Sequence, residues 1–145
     1  MNLAILFGGN SLEHEISIVT AFSIKKKLYP LEVTMLYVDY DNDLYDVTKN
    51  KLDDFKKNKK FKKTRFANNG IKGKRIDCVI LACHGENCED GVFAGTLRFY
   101  NINFVGSDIL ASSIAMDKWL TYLLLNGNDI DVVPTISYSF DDYLK

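Results

Sequence analysis

Three short apolar runs in this chain each end at a glycine. Leu3-Ala4-Ile5-Leu6-Phe7 meets Gly8-Gly9, Asp77 to Cys83 meets His84-Gly85, and Ile102 to Val105 closes on Gly106-Ser107. A run that is apolar throughout, rather than at every second residue, leaves no face for water and belongs in a strand covered on both sides. Helical spacing fills the intervals. Asn10 can cap a helix and Glu13 stands three residues on, as in a capping box, which predicts a helix from about residue 12 to Leu28. Ile16, Val19 and Phe22 would share its packed face, Lys25-Lys26-Lys27 would complement its negative end, and Pro30 stops it. Leu31 to Val38 then reads as a second strand and Asp39 to Val47 as a short edge strand or hairpin.

Further helices are expected from Val92 to Tyr100, from about Asp108 to Ala115, and from Lys118 to Asn126, the last ended by Gly127. Val132 to Tyr138 reads as extended. Strands alternating with helices at this spacing predict an α/β fold with a doubly wound, mostly parallel sheet. Such sheets bind ligands outside the carboxyl ends of their strands. The loops Gly8-Gly9-Asn10-Ser11, His84-Gly85-Glu86 and Gly106-Ser107 should therefore converge on one edge. Neither G-x-G-x-x-G nor G-x-x-x-x-G-K-[ST] occurs, which speaks against a dinucleotide site and against a P-loop enzyme.

Four side chains on these loops could carry chemistry. Glu13 has two readings, as the carboxylate of a capping box or as a carboxylate offered to a substrate ammonium at the strand end. His84 closes an apolar strand ahead of a glycine and an acidic loop, where an imidazole either faces a cleft or is simply solvated. His14 reads as a solvated helix residue. Lys118 opens a helix, where a lone lysine is usually solvated, and Trp119 beside it suits core or hinge packing.

Composition narrows the partners. The chain has 145 residues, 47% hydrophobic and 26% charged, a globular balance with enough apolar mass for one core. No run of about 18 apolar residues or more is present, and Met1-Asn2-Leu3 lacks a basic leader, so a cytoplasmic chain without a membrane span is expected. The net charge of -1 hides an asymmetry: Lys49 to Arg75 holds 12 Lys and Arg against 2 Asp and Glu, leaving 6 against 17 elsewhere. With only Phe55, Phe61 and Phe66 as aromatics and no nucleic-acid motif, this 49–75 block reads as a solvated insertion, and no nucleic-acid partner is expected. Cys78, Cys83 and Cys88 are too widely spaced for a zinc finger and are expected to be reduced, buried thiols.

The segment Leu6-Phe7-Gly8-Gly9-Asn10-Ser11-Leu12-Glu13-His14-Glu15-Ile16-Ser17 closely resembles the start of D-alanine:D-alanine ligases of the ATP-grasp superfamily. His84-Gly85 with Glu89-Asp90-Gly91 resembles the second signature of that family, and Gly106-Ser107 to Met116-Asp117-Lys118 its third, in the same order. The resemblance implies a Rossmann-like substrate domain over residues 1–117, the pre-ATP-grasp domain, and the truncated start of the central ATP-grasp domain over 118–145. It implies that ATP and Mg²⁺ are used to phosphorylate the carboxylate of one D-alanine, whose acyl phosphate is attacked by the amine of a second. By this likeness Glu13 is catalytic and holds the first D-alanine's ammonium, His84 and Ser17 line the same pocket, and Lys118 touches ATP phosphates. Glu89 and Asp90 look like a loop-docking pair. The metal ligands and most ATP contacts would lie after Lys145, so this chain is expected to be an inactive amino-terminal piece of a ligase that is a homodimer when intact. D-alanine, D-serine and D-lactate all remain open as second substrate. A reading from another class is a non-catalytic α/β domain that binds a small ligand or a partner protein.

Overall fold

The computed structural model describes residues 1–57 and 60–138. In chain order the elements are β1 (Leu3–Gly8), α1 (His14–Leu28), β2 (Val33–Val38), β3 (Leu44–Asp46), α2 (Leu52–Lys56), β4 (Lys62–Lys63), β5 (Phe66–Ala67), β6 (Gly70–Ile71), β7 (Lys74–Arg75), β8 (Cys78–Leu81), α3 (Val92–Phe99), β9 (Asn103–Val105), α4 (Ile109–Met116) and α5 (Lys118–Asn126). The main sheet has the order β4-β3-β2-β1-β8-β9. Its four strands from β2 to β9 are parallel, and β3 and β4 extend it antiparallel at one edge. The expected mostly parallel α/β sheet is therefore present, with the first-made strand β1 near its centre.

Alternation along β1 divides the core in two. Ile5 and Phe7 pack with Ile18 and Ala21 of α1, while Ala4 and Leu6 pack with Phe93 and Leu97 of α3. All four β1 residues are fully buried. Because each strand residue points opposite to the next, one apolar run serves both layers, and this is why the run could not alternate with polar residues.

Helix α1 departs from expectation in two ways. It begins at His14, with Glu13 as N-cap and no side-chain capping bond, so the capping box does not form. Ser11 takes part of that role, accepting the Glu13 N–H on its Oγ at 3.0 Å. The packed face is also different. Ile16 and Val19 are exposed, and the buried set is His14, Ser17, Ile18 and Ala21, whose spacing is the helical one. Two of these are polar, and their groups are met by the Gly8 N–H, the Gly9 and His14 carbonyls and the Tyr37 hydroxyl.

The basic 49–75 block is ordered by its apolar residues. Leu52, Phe55 and Phe61 pack against the α1 layer and Phe66 against the α3 layer, while Ile71 is buried. Lys62, Lys63, Lys74 and Arg75 point to solvent, and β5, β6 and β7 form a separate antiparallel sheet. A tight turn at Asn68-Asn69-Gly70 joins β5 to β6, with Asn69 at φ 60°. Residues 58 and 59 of this block lie outside the described residues.

The expectation of reduced, buried thiols fails for Cys83 and Cys88 in their bonding and for Cys78 in its burial, which is only partial. Cys83 and Cys88 form a disulfide, with Cα atoms 5.7 Å apart, and only Cys78 is free. The glycine turn at Gly85 folds the chain back so that two residues five apart meet, which linear spacing conceals. Beyond β9 the helices α4 and α5 have no buried residue. Val132 to Tyr138 has no regular structure, and 139–145 lie outside the described residues. No helix among the described residues is long and apolar enough to cross a membrane.

Candidate functional site at the strand ends

The carboxyl ends of β1 and β8 bring Glu13 and His84 into one neighbourhood. Gly85 is the pivot. Its φ of +73° is left-handed, and a Cβ built on it would lie 2.5 Å from Glu13 Oε2 and 2.8 Å from Ser11 Oγ. A side chain there would have to push the Glu13 carboxylate and the Ser11 hydroxyl aside, so glycine lets the turn after β8 lie close against the loop after β1. Glu13 itself is exposed, its carboxylate not spent on the helix cap.

His84 is held from two sides. Its Nε2 lies 3.3 Å from Thr20 Oγ1 on α1, and its Nδ1 lies 3.9 Å from Glu89 Oε1. The other oxygen of Glu89 accepts the Gly85 N–H at 3.0 Å, while Asp90 accepts N–H groups from Asn87 and Val92 at 2.8 and 3.0 Å. Both acids thus organise the turn and the entry to α3 through their backbone contacts. The imidazole lines a cleft of about 470 Å³ together with Glu89, Gly106, Ser107 and the α4 residues Ala111 and Met116.

The loop after β1 is fixed from beneath by buried polar groups. Ser17 Oγ accepts the Gly8 N–H at 2.8 Å and donates to His14 O at 2.6 Å, and Ser17 is fully buried. His14, expected in solvent, is 1% exposed. Its Nδ1 is 2.7 Å from Gly9 O and its Nε2 3.0 Å from Tyr37 Oη. A carbonyl can only accept, so Nδ1 carries the proton and Nε2 accepts from the tyrosine hydroxyl in the neutral ring. Burial first, then the charges of Asp39 and Glu15, push the Tyr37 hydroxyl up to about 12, which keeps that donor protonated. Tyr40 stacks on the other side of the imidazole at 4.0 Å.

Thr20, Tyr37 and Tyr40 carried no signal as site-bracing residues in the sequence, and His14 was placed in solvent. Tyr37 is hidden in an apolar strand and Thr20 in a helix. His14 had one available signal, its place three and four residues before the buried Ser17 and Ile18.

Lys118 stands apart from this group. It is exposed at the start of α5, whose first turn is capped by Asp117 Oδ1 at 2.9 Å from the N–H groups of Trp119 and Leu120. It lines a second, open recess of about 810 Å³ with Asp90, Val92 and Ser113, which shares Met116 with the His84 cleft. Trp119 stacks on Tyr122 at 5.3 Å. Among the described residues no three His, Cys, Asp or Glu side chains are gathered so as to hold a metal ion.

Residues 2–107 match the family profile described as the D-ala D-ala ligase N-terminus. The chain belongs to this family. The matched stretch contains Glu13, Ser17 and His84, and Lys118 follows it. Among relatives, the D-alanine–D-alanine ligase of Sulfurovum sp. is 34% identical over 146 residues, covering 92% of this chain and 42% of that protein. The solved structure of the Helicobacter pylori D-alanine–D-alanine ligase is 33% identical with a TM-score of 0.76, covering 88% of this chain and 44% of that one. The VanG D-Ala:D-Ser ligase of Enterococcus faecalis, 26% identical, superposes with a TM-score of 0.77 over 91% of this chain and 43% of its own. The chain thus spans less than half the length of these family members.

Proposed function

We propose that this chain is the amino-terminal part of an ATP-dependent carbon–nitrogen ligase that joins two D-alanines through an acyl phosphate, for peptidoglycan precursor synthesis in the cytoplasm. The observation that carries the reading is the Glu13 carboxylate seated against Gly85, beside His84, at the ends of two parallel strands. Residues 1–117 form the substrate domain, and 118–145 open the central ATP-grasp domain.

Glu13 takes the ammonium of the first D-alanine, a charge-assisted pair that fixes the direction of the small zwitterion. His84, steadied by Thr20 and Glu89, lines the pocket near the carboxyl that reacts. Ser17 acts from beneath, holding the Gly8 amide and with it the loop that carries Glu13. Bound ATP would supply the phosphoryl group that activates the first carboxylate. Lys118 offers one exposed ammonium to its phosphates. The chain spans 42% of the Sulfurovum ligase, and on this reading most nucleotide and metal contacts fall to the remainder of such a protein, so that the 145-residue chain alone is inactive. The intact ligase is a homodimer with D-alanine as second substrate. The likeness to both D-Ala:D-Ala and D-Ala:D-Ser ligases makes that last choice one for competition kinetics.

The deciding experiment is D-alanine-dependent ADP release by the gene's full product. Glu13→Gln should lower kcat/KM for D-alanine by about 10- to 100-fold, the loss of a hydrogen bond to a charged group, with an unchanged thermal midpoint. No D-alanine-dependent turnover, or full activity in Glu13→Gln, would overturn the reading.

A further inference from the structure

The structure assigns a thiol–disulfide exchange site to Cys83 and Cys88, one that acts on the turn carrying His84 and Gly85. The two cysteines bracket that turn and are 5 and 7% exposed, yet both line the cleft of about 470 Å³ that His84 also lines. A small disulfide or thiol entering the cleft therefore reaches the sulfurs without unfolding the sheet. Cys78 is free and lies within β8, outside the lining of this cleft.

The bond has a local mechanical effect. Oxidised, it ties the strand end at Cys83 to Cys88 across four residues. Reduced, the turn is left to Glu89 Oε2 on the Gly85 N–H at 3.0 Å and to the Cys88 and Glu89 N–H groups on Gly85 O at 3.2 and 2.9 Å. Since Gly85 abuts the Glu13 carboxylate, loosening the turn loosens the proposed substrate site. This consequence rests on the ligase reading, whereas the exchange chemistry does not.

In the oxidising direction one cysteine thiolate, its proton lost to water, attacks a small disulfide and expels one thiolate. The second cysteine thiolate then attacks the protein-bound sulfur of that mixed disulfide and expels the other. Two protein thiols and one small disulfide give one protein disulfide and two small thiols, and the reverse requires only an excess of the thiol.

The 145-residue chain would be equilibrated in reduced and oxidised glutathione at a series of ratios, quenched in acid, denatured, alkylated and weighed intact. The expected result is a single step between three alkylated thiols and one, with a midpoint that follows the square of reduced glutathione. In the oxidised form the amides from Gly85 to Glu89 should exchange about 10-fold more slowly, a local opening made rarer. Cys88→Ala should form no internal disulfide, ending at oxidising ratios in a Cys83 glutathione adduct that the parent chain resolves, and should lose the redox effect on exchange. Cys83→Ala serves the same purpose if circular dichroism shows that the first variant does not fold.

In the parent chain, three alkylated thiols at all ratios, a persistent glutathione adduct, or pairing that involves Cys78 would overturn the site. A disulfide that forms with no change in exchange would overturn its action on the turn. A clean thiol transition in a gene product that fails to ligate D-alanine would leave this site standing and remove only the ligase reading.

Discussion

At the scale of single residues, Gly85 is the constrained position that bears on Glu13. Gly85→Ala places a methyl where the Glu13 carboxylate lies, on a backbone that costs an L-residue about 1–2 kcal/mol. The expected outcome is a modest fall in thermal midpoint with a larger loss of D-alanine binding, readable together by calorimetry. His14→Ala should do the reverse. It strands the buried Tyr37 hydroxyl at about 1–3 kcal/mol and leaves the Gly9 carbonyl only its bond from the Ser11 N–H, so urea unfolding should show a destabilisation of about 1–3 kcal/mol. The tyrosines give a pH signature. Tyr37 and Tyr45 are both pushed up to about 12, Tyr37 mainly by burial and Tyr45 mainly by its hydrogen bond to Asp39. Raised values mean that the fold favours the neutral phenols, so their contribution is whole below the ordinary 10 and is lost as pH climbs from 10 through about 12. Ultraviolet titration should show Tyr37 and Tyr45 as late phenols, and Tyr37→Phe should remove the first of them.

Among the elements, α3 depends on the acidic turn ahead of it. Asp90 accepts from Asn87 and Val92 while Gly91, at φ 94°, turns the chain into the helix. Asp90→Ala should cost about 0.5–2 kcal/mol in urea midpoint analysis, with Asp90→Asn closer to the parent. The sequence made β1, β8, α3, α4 and α5 legible, because uninterrupted apolar runs and terminal glycines are local signals. It concealed the packed face of α1, where His14 and Ser17 take positions that a hydrophobicity pattern leaves to Ile16 and Val19. Those polar groups are tolerated because loop carbonyls and amides meet them, a long-range fact. The two-residue strands β4 to β7 were concealed for the same reason, since their pairing comes from partners distant in the chain rather than from periodicity. Within the site, the convergence of the loops after β1 and β8 was legible from the strand ends, and the choice of Glu13 over its capping reading only through family likeness. The disulfide was legible through neither route.

Across the whole molecule, the unfinished feature is the surface of α4 and α5. Leu110, Met116, Leu120, Leu123 and Leu124 are exposed, and Val133 and Ile136 add to them further on. Faces of that kind call for a covering element. The 145-residue chain should bind an environment-sensitive dye strongly, and removal of residues 108–145 should abolish most of that fluorescence while the far-ultraviolet signal of the sheet persists. A dye signal unchanged by the deletion would place the apolar surface elsewhere.

The position of β1 has a consequence for birth on the ribosome. Its partner on one side, β2, follows within one helix, but β8 on the other side arrives only after the 75 residues that separate Asn2 from Asp77 have been made. At roughly 5–20 residues per second that interval lasts about 4–15 s. From the completion of β2 until β8 is made, the strand Leu3–Gly8 has one flank paired and the other bare, and a nascent chain in that state is a natural client for a holding chaperone.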